Sequence, residues 1–258
     1  MAEQNIVKLK VWGPWACFTR PEMKVERVSY PVMTPSAARG ILEAILWKPE
    51  FRWVIHRILV LKDIRFQSVR RNEVQKAVST TEVRKWMQDP GLYEPFYADI
   101  AGRIKGGKGE NRTPRNTLAL KDVAYMIEAE IRLTEWAGRS RNKPLDEDEQ
   151  PGDNTITKYV CMFNRRVEKG QCFHRPCLGI REFAADFGPP DGSERPIQDS
   201  RGLGRMLYDV VYADNSKPVF FDPDADGLFR NGVLTVSPEI VLKDEVVREE
   251  VLACSYKG

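Results

Sequence analysis

The sequence is poor in what a metal enzyme, a hydrolase or a secreted protein needs. It holds two histidines, His56 and His174, and five cysteines, Cys17, Cys161, Cys172, Cys177 and Cys254, irregularly spaced and without a C-x-x-C pair. A zinc ligand set and a disulfide framework are thereby disfavoured, and free thiols in a reducing compartment are expected. No G-x-S-x-G element is present, and two histidines leave little from which to build a hydrolase triad. No apolar run approaches the roughly 20 residues of a membrane span. The opening MAEQNIVKLK lacks the apolar segment of a secretory signal. These absences predict a cytoplasmic protein with no membrane partner, no metal site and no cofactor.

Two motifs come close and fail. GRIKGGKG (Gly102–Gly109) has the glycine and lysine spacing of a P-loop, but Gly109 stands where the magnesium-binding Ser or Thr belongs and no strand leads into it. DPDADG (Asp222–Gly227) opens like a calcium loop, yet its twelfth position is Val233 instead of a bidentate Glu, so a turn is expected.

What is present is a chain of 258 residues, 42% hydrophobic and 30% charged, long enough to bury a proper core. Its net charge of +3 conceals an asymmetry: residues 185–258 carry 8 Lys/Arg against 14 Asp/Glu, which leaves +9 for residues 1–184. A basic body of this kind suits a polyanionic partner, although an ordinary solvated surface would read the same way.

Periodicity orders the elements. IVKLKV (Ile6–Val11) alternates as a strand with one apolar and one basic face, the latter a candidate binding surface. Thr34-Pro35 reads as an N-cap with proline at the first helical position, followed by the stripe Ala37, Ala38, Ile41, Leu42, Ile45. FRWVIHRILVL and IRFQSV (Phe51–Leu61, Ile64–Val69) read as two strands that could pair as a hairpin about Lys62-Asp63. Residues 70–116 lose periodicity and gather glycines with cations, as an inserted basic arm would. DVAYMIEAEIRL (Asp122–Leu133) alternates again. Asp153–Gln171 reads as a helix with the stripe Ile156, Val160, Phe163, Val167, stopped at Gly170, with Lys158-Tyr159 at its first turn. CLGIREFAADF (Cys177–Phe187) reads as a further strand. The order βαββαβ predicts an α+β fold of ferredoxin-like type over residues 1–189, interrupted by the insertion at about 70–116, and then a small antiparallel β domain with its tail over 190–258.

Three long strings carry a resemblance: CFTRPEMKVERVSYPVMTPSAARGILEAILWKP (Cys17–Pro49), NRTPRNTLALKDVAY (Asn111–Tyr125) and RRVEKGQCFHRPCLGIREFAADF (Arg165–Phe187). They are similar to the CRISPR-associated family-five RAMP proteins of the type I-C system. The resemblance implies a ferredoxin-like domain, a small β domain and a metal-independent endoribonuclease that cuts the repeat hairpin of precursor CRISPR RNA. It also implies that the protein stays on the 5′ handle of the mature guide RNA, beside the large subunit and backbone subunits of the type I-C Cascade complex.

In that family a Lys-His pair and a Tyr at the end of the first helix are associated with cleavage. Alignment puts Lys158-Tyr159 and Leu46 at these positions, so only the lysine is kept. The resemblance therefore makes Lys158 a candidate for stabilising the phosphorane, Tyr159 for positioning the 2′-hydroxyl, and His174, in the polar loop GQCFHRPC, a substitute base. The two departures keep open a non-catalytic subunit that caps the RNA and serves assembly. Candidate phosphate contacts are Arg20, Lys24, Arg27, Arg39, Lys48, Arg70, Arg71, Arg112, Arg115, Arg165 and Arg166, with Trp15, Phe18 and Trp47 as stacking surfaces. The Gly102–Arg115 arm is a candidate contact to target DNA or to a neighbouring subunit.

Overall fold

A computed structural model describes residues 6–23, 25–74, 78–93, 112–134, 136–137, 154–211 and 217–253. Its organising element is β5 (Arg112–Leu133), a strand of 22 residues that hydrogen-bonds along both edges. On one edge lies β1 (Ile6–Ala16), antiparallel from Ile6↔Glu130 to Ala16↔Leu120, and beyond it the two-residue β2 (Arg27–Val28). On the other edge β3 (Phe51–Val60) covers the C-terminal half of β5, and β4 (Phe66–Val74) covers the N-terminal half.

β3 and β4 are therefore not hairpin partners. They run in the same direction along one edge of β5, joined by a kink that bonds back to it (Leu61 N–H to the Ala124 carbonyl, Lys121 N–H to the Arg65 carbonyl). A tight hairpin favours positive φ in its loop, as Asn-Gly or Asp-Gly supplies. Here the left-handed residue is Asp122 on the partner strand (φ 52), and it accepts a 2.7 Å bond from Lys62 across the kink.

One face of this sheet is apolar. Val7, Leu9, Val11, Val123, Tyr125, Ile127, Ala129 and Ile131 are buried under α1 (Pro35–Ile45) and α3 (Asn154–Glu168). α1 starts as expected: the Thr34 Oγ1 accepts from the Ala37 N–H, and Pro35 occupies the first turn. Its buried face, Ala38, Ile41, Leu42 and Ile45, is the predicted stripe.

The opposite face of the sheet departs from expectation. Lys8 and Lys10 do not form an open basic surface. Lys8 and Arg57 both pair with the buried carboxylate of Glu128 (3.3 and 2.6 Å), and Lys10 is held by Asp191 and Glu194, each at 3.0 Å. Cross-strand neutralisation has consumed the charge that the strand alone displays.

Residues 177–187 also differ from the predicted strand. Only β6 (Asp186–Gly188) pairs with β1, and the preceding segment folds into a turn in which Leu178 N–H bonds to the Phe183 carbonyl. Gly179 (φ 90) makes that turn possible, because a Cβ there would lie 2.0 Å from the Cys17 carbonyl oxygen. The sheet order is β6-β1-β5-β3, extended by β10 (Val233–Thr235) and β9 (Phe229–Arg230). β9 and β10 form a hairpin on Asn231-Gly232, both at positive φ (49 and 73), and β10 docks on β3.

β7 (Met206–Val211) and β8 (Lys217–Phe221) make a separate two-stranded sheet, followed by α4 (Pro238–Val241) and α5 (Glu245–Ala253). The expected insertion at about 70–116 begins and ends inside the main sheet, where Arg70–Val74 of β4 pair with Arg112–Asn116 of β5, and between these strands α2 (Thr80–Gln88) and a 3-10 turn at Pro90–Leu92 are formed. Residues 94–111, including the P-loop-like string, lie outside the described residues. Among the described residues no helix is long and apolar enough to cross a membrane.

The two-stranded sheet is tied to α1 through Asp209 of β7, whose carboxylate binds the Arg39 guanidinium through both nitrogens of its fork. Both side chains are largely buried (9% and 18% exposed), and burial raises the Asp209 pKa although Arg39 opposes it. Removing one partner of such a pair strands the other. We expect Asp209→Ala to cost about 2 kcal/mol, below the ~3–5 of a fully buried pair, because Glu43 still faces Arg39 at 3.5 Å. Urea denaturation measures it; a change under ~0.5 kcal/mol would show that the pair contributes nothing.

Candidate active site

α3 buries Tyr159, Phe163 and Val167, spaced i, i+4, i+8, with Ile156 and Val160 half covered at the edge. The buried face is thus turned toward Tyr159 relative to the predicted stripe. The helix ends in a Schellman motif: Gly170 (φ 62) donates to the Val167 carbonyl and Gln171 to that of Arg166. Because α3 begins at Asn154, Lys158 stands in its second turn, outside the first-turn region where a helix dipole acts most strongly.

Three segments meet at this end of α3. Leu46, the residue after α1, is buried, and its carbonyl accepts from the Trp53 indole N–H at 2.9 Å. Trp53 packs on Phe163 and Phe51 packs on Tyr159, each with ring centroids 4.8 Å apart. The Lys158 ammonium lies 5.6 Å from the centre of the Tyr159 ring and is itself exposed. Tyr159 is only 3% exposed; burial raises the pKa of its phenol, and the charge of Glu50 adds to the rise. At neutral pH this hydroxyl keeps its proton, so it can donate a hydrogen bond but cannot act as a base.

Glu50 is a candidate that sequence reasoning misses. It lies between α1 and β3, next to Phe51, and its Oε2 is buried with no hydrogen-bond partner. A buried acceptor without a donor is uncommon and asks for a reason. Nothing in the local pattern marks Glu50, because its place beside Tyr159 is made by strand and helix packing.

The exposed loop of His174 is fixed to the C-terminal end of α1, the end that Leu46 follows, with the N–H groups of Phe173 and His174 both directed at the Ala44 carbonyl (2.8 and 3.3 Å). Arg166 reaches the neighbouring Ile45 carbonyl at 2.6 Å. From Lys158 to Arg166 is two turns of α3, about 12 Å along the axis.

The candidate RNA contacts divide by what already engages them. Arg39 is committed to Asp209, and Arg27 and Arg71 share Glu73 and Glu182. Arg166 caps α1. Arg20 sits 4.6 Å over the Tyr30 ring and beside Glu22, and Phe18 is a core residue set edge-on to Tyr125. Trp15 is half-buried against Phe183. For these residues the structure supplies structural roles. Arg70 and Arg165 are exposed, Trp47 is 51% exposed, and Lys48 and Arg115 are half-buried. Lys24 and the side chain of Arg112 lie outside the described residues.

A mostly antiparallel sheet backed by two helices defines a mixed α/β protein. The chain belongs to the family described as CRISPR-associated protein (Cas_Cas5), whose model matches residues 6–217. It is 44% identical over 241 residues to the CRISPR pre-crRNA endoribonuclease Cas5d of Mannheimia succiniciproducens, covering 91% of this chain and 96% of that protein. It is 43% identical over 209 residues to the protein of the same name from Thermus thermophilus, covering 81% and 75%. In fold it is similar to a crystal structure of a CRISPR-associated protein (TM-score 0.54, 21% identity, 89% of this chain and 90% of that one). It is also similar to the functionally uncharacterised SMU1763c of Streptococcus mutans (TM-score 0.55, 20% identity, 93% and 95%).

Burial raises the phenol pKa of Tyr30, Tyr125, Tyr159 and Tyr208. Above pH ~10, where free tyrosine ionises, the native state therefore binds more protons than the unfolded chain, and stability falls as pH rises. In a tyrosinate absorbance titration, Tyr159→Phe should reduce only the late step that accompanies unfolding. A reduced early step would mean that Tyr159 ionises as an exposed phenol.

Proposed function

We propose that this protein is a metal-independent endoribonuclease that cuts the repeat hairpin of precursor CRISPR RNA and then remains on the 5′ handle as a subunit of the type I-C interference complex. The observation that carries this reading is the 44% identity to a CRISPR pre-crRNA endoribonuclease across 91% of the chain. The sheet order β6-β1-β5-β3, with α1 and α3 on one face, supports a ferredoxin-like plan for residues 1–189. The separate β7–β8 sheet supports a small β unit after it, although β9 and β10 rejoin the main sheet. The RNA repeat and guide, the large subunit and the backbone subunits are the proposed partners.

In the proposed reaction the 2′-hydroxyl loses its proton and attacks the adjacent phosphorus. The bond to the 5′-oxygen breaks and that oxygen takes up a proton from solvent, leaving a 2′,3′-cyclic phosphate and a 5′-hydroxyl. A cation must balance the extra charge of the phosphorane, and an acceptor must take the 2′ proton. Lys158 is the cation, exposed and carried on a rigid helix. Glu50 is the acceptor, its buried and unclaimed carboxylate oxygen being uncovered when RNA binds, and the protonated Tyr159, packed on Phe51, supports it. His174, on the loop that follows α3 and is fastened to Ala44, is assigned to RNA holding, together with Arg70, Arg165 and Trp47.

Incubating the purified protein with its repeat RNA in excess EDTA should give a single cut with a cyclic phosphate end. Lys158→Ala and Glu50→Gln should each slow single-turnover cleavage by about 100-fold, with RNA affinity kept within about threefold. Tyr159→Phe should cost less than about fivefold. Tight binding of uncut RNA by the wild type would favour a non-catalytic RNA-capping subunit, a reading that the buried Leu46 and Tyr159 also suit. Full cleavage by Lys158→Ala would exclude this site.

A further inference from the structure

Phe173 is 84% exposed, the most uncovered large hydrophobic side chain among the described residues. Its backbone is not free, however. The bonds from Phe173 and His174 to the Ala44 carbonyl fasten the loop to α1, and the His174 ring sits edge-on to Phe173 at 5.8 Å and 80°. An aromatic ring held out to solvent on an anchored loop is already placed for a flat partner and has little backbone freedom left to lose on binding it.

The residues that follow Phe173 line a cavity of about 270 Å³, with Gly40 and Ala44 of α1 on one side and His174 and Arg175 on the other. A Cβ on Gly40 would meet nothing within 4 Å. Mid-helix glycine is destabilising relative to alanine, so folding does not require the glycine here, and its effect is to keep the cavity floor clear. From Arg165 to Arg175 the chain carries four Arg/Lys against one acid, Glu168. An aromatic ring within such a cationic segment fits a polyanion with planar bases better than it fits the apolar pocket of another protein. A paired helix offers no free base face, so the partner is a single strand.

We infer that Phe173 is a stacking platform for an unpaired base of the bound RNA, with the neighbouring nucleotide lodged in the cavity over Gly40 and its phosphate facing His174 and Arg175. This rests on the chain acting on RNA as proposed above, and it adds a subsite at the far end of α3 from Lys158, one that would hold the product after cleavage.

The test uses the full chain with its repeat RNA and with a single-stranded oligonucleotide carrying 2-aminopurine. Phe173→Ala should weaken binding roughly 5- to 150-fold and abolish the quenching of 2-aminopurine, while Phe173→Trp restores both. Gly40→Leu, which fills the cavity, should weaken binding without lowering Tm. If Phe173→Ala and Gly40→Leu bind and quench as the wild type does while cleavage proceeds, the subsite is wrong and the nuclease stands. If the wild type neither binds nor cuts RNA, both readings fall together.

Discussion

β5 must satisfy the backbone hydrogen-bonding groups of 22 residues on both of its edges, and most of the fold follows from how that is done. β1 takes one edge and β3 followed by β4 takes the other, so chain segments that are remote in sequence become adjacent strands. The alternation along the C-terminal half of β5 then sends Tyr125, Ile127, Ala129 and Ile131 to one face, and α1 and α3 bury that face. Where these two helices end beside β3, Lys158, Tyr159 and Glu50 are brought together. Where the loop after α3 returns to α1, Phe173 and His174 are held out to solvent.

Charge is partitioned in the same way. The sheet face opposite the helices carries Lys8, Lys10, Arg57 and Arg132, but each has acidic partners within the fold. Arg27 and Arg71 are engaged by Glu73 and Glu182, and Arg39 by Asp209. Cations bound into such networks hold strands and sheets in place. On α3 and its following loop Arg166 caps α1 and Arg175 pairs with Asp186 at 3.6 Å, while the exposed Lys158 and Arg165 add to the field that a polyanion would meet. A basic body is therefore a poor guide to where RNA lies, because much of its charge is spent internally.

The parts of the fold with one buried face are legible in the residue pattern alone: β1, the Thr34-Pro35 start of α1, the second half of β5 and the Gly170 stop of α3. The first half of β5 and the part of β4 beyond Val69 are not, since the covered face of that extension carries Thr113, Arg115 and Thr117 in place of an apolar alternation. The strand expected over Cys177–Phe187 is mostly a turn, forced by the close approach of Gly179 to the Cys17 backbone. Of the candidate site, the resemblance marks Lys158 and the polar loop around His174, whereas Glu50 and Phe173 bear no local sign.

By itself the sequence determined the composition of the core, the caps and stops of the main helices and the family to which the chain belongs, because these depend on residues near one another along the chain or on long strings of identity. Tertiary structure alone decided which cations remain available, that Tyr159 is buried and protonated, and that Glu50 lies beside it. Those outcomes turn on burial and on contacts across β5 between segments a hundred or more residues apart, which local spacing does not encode.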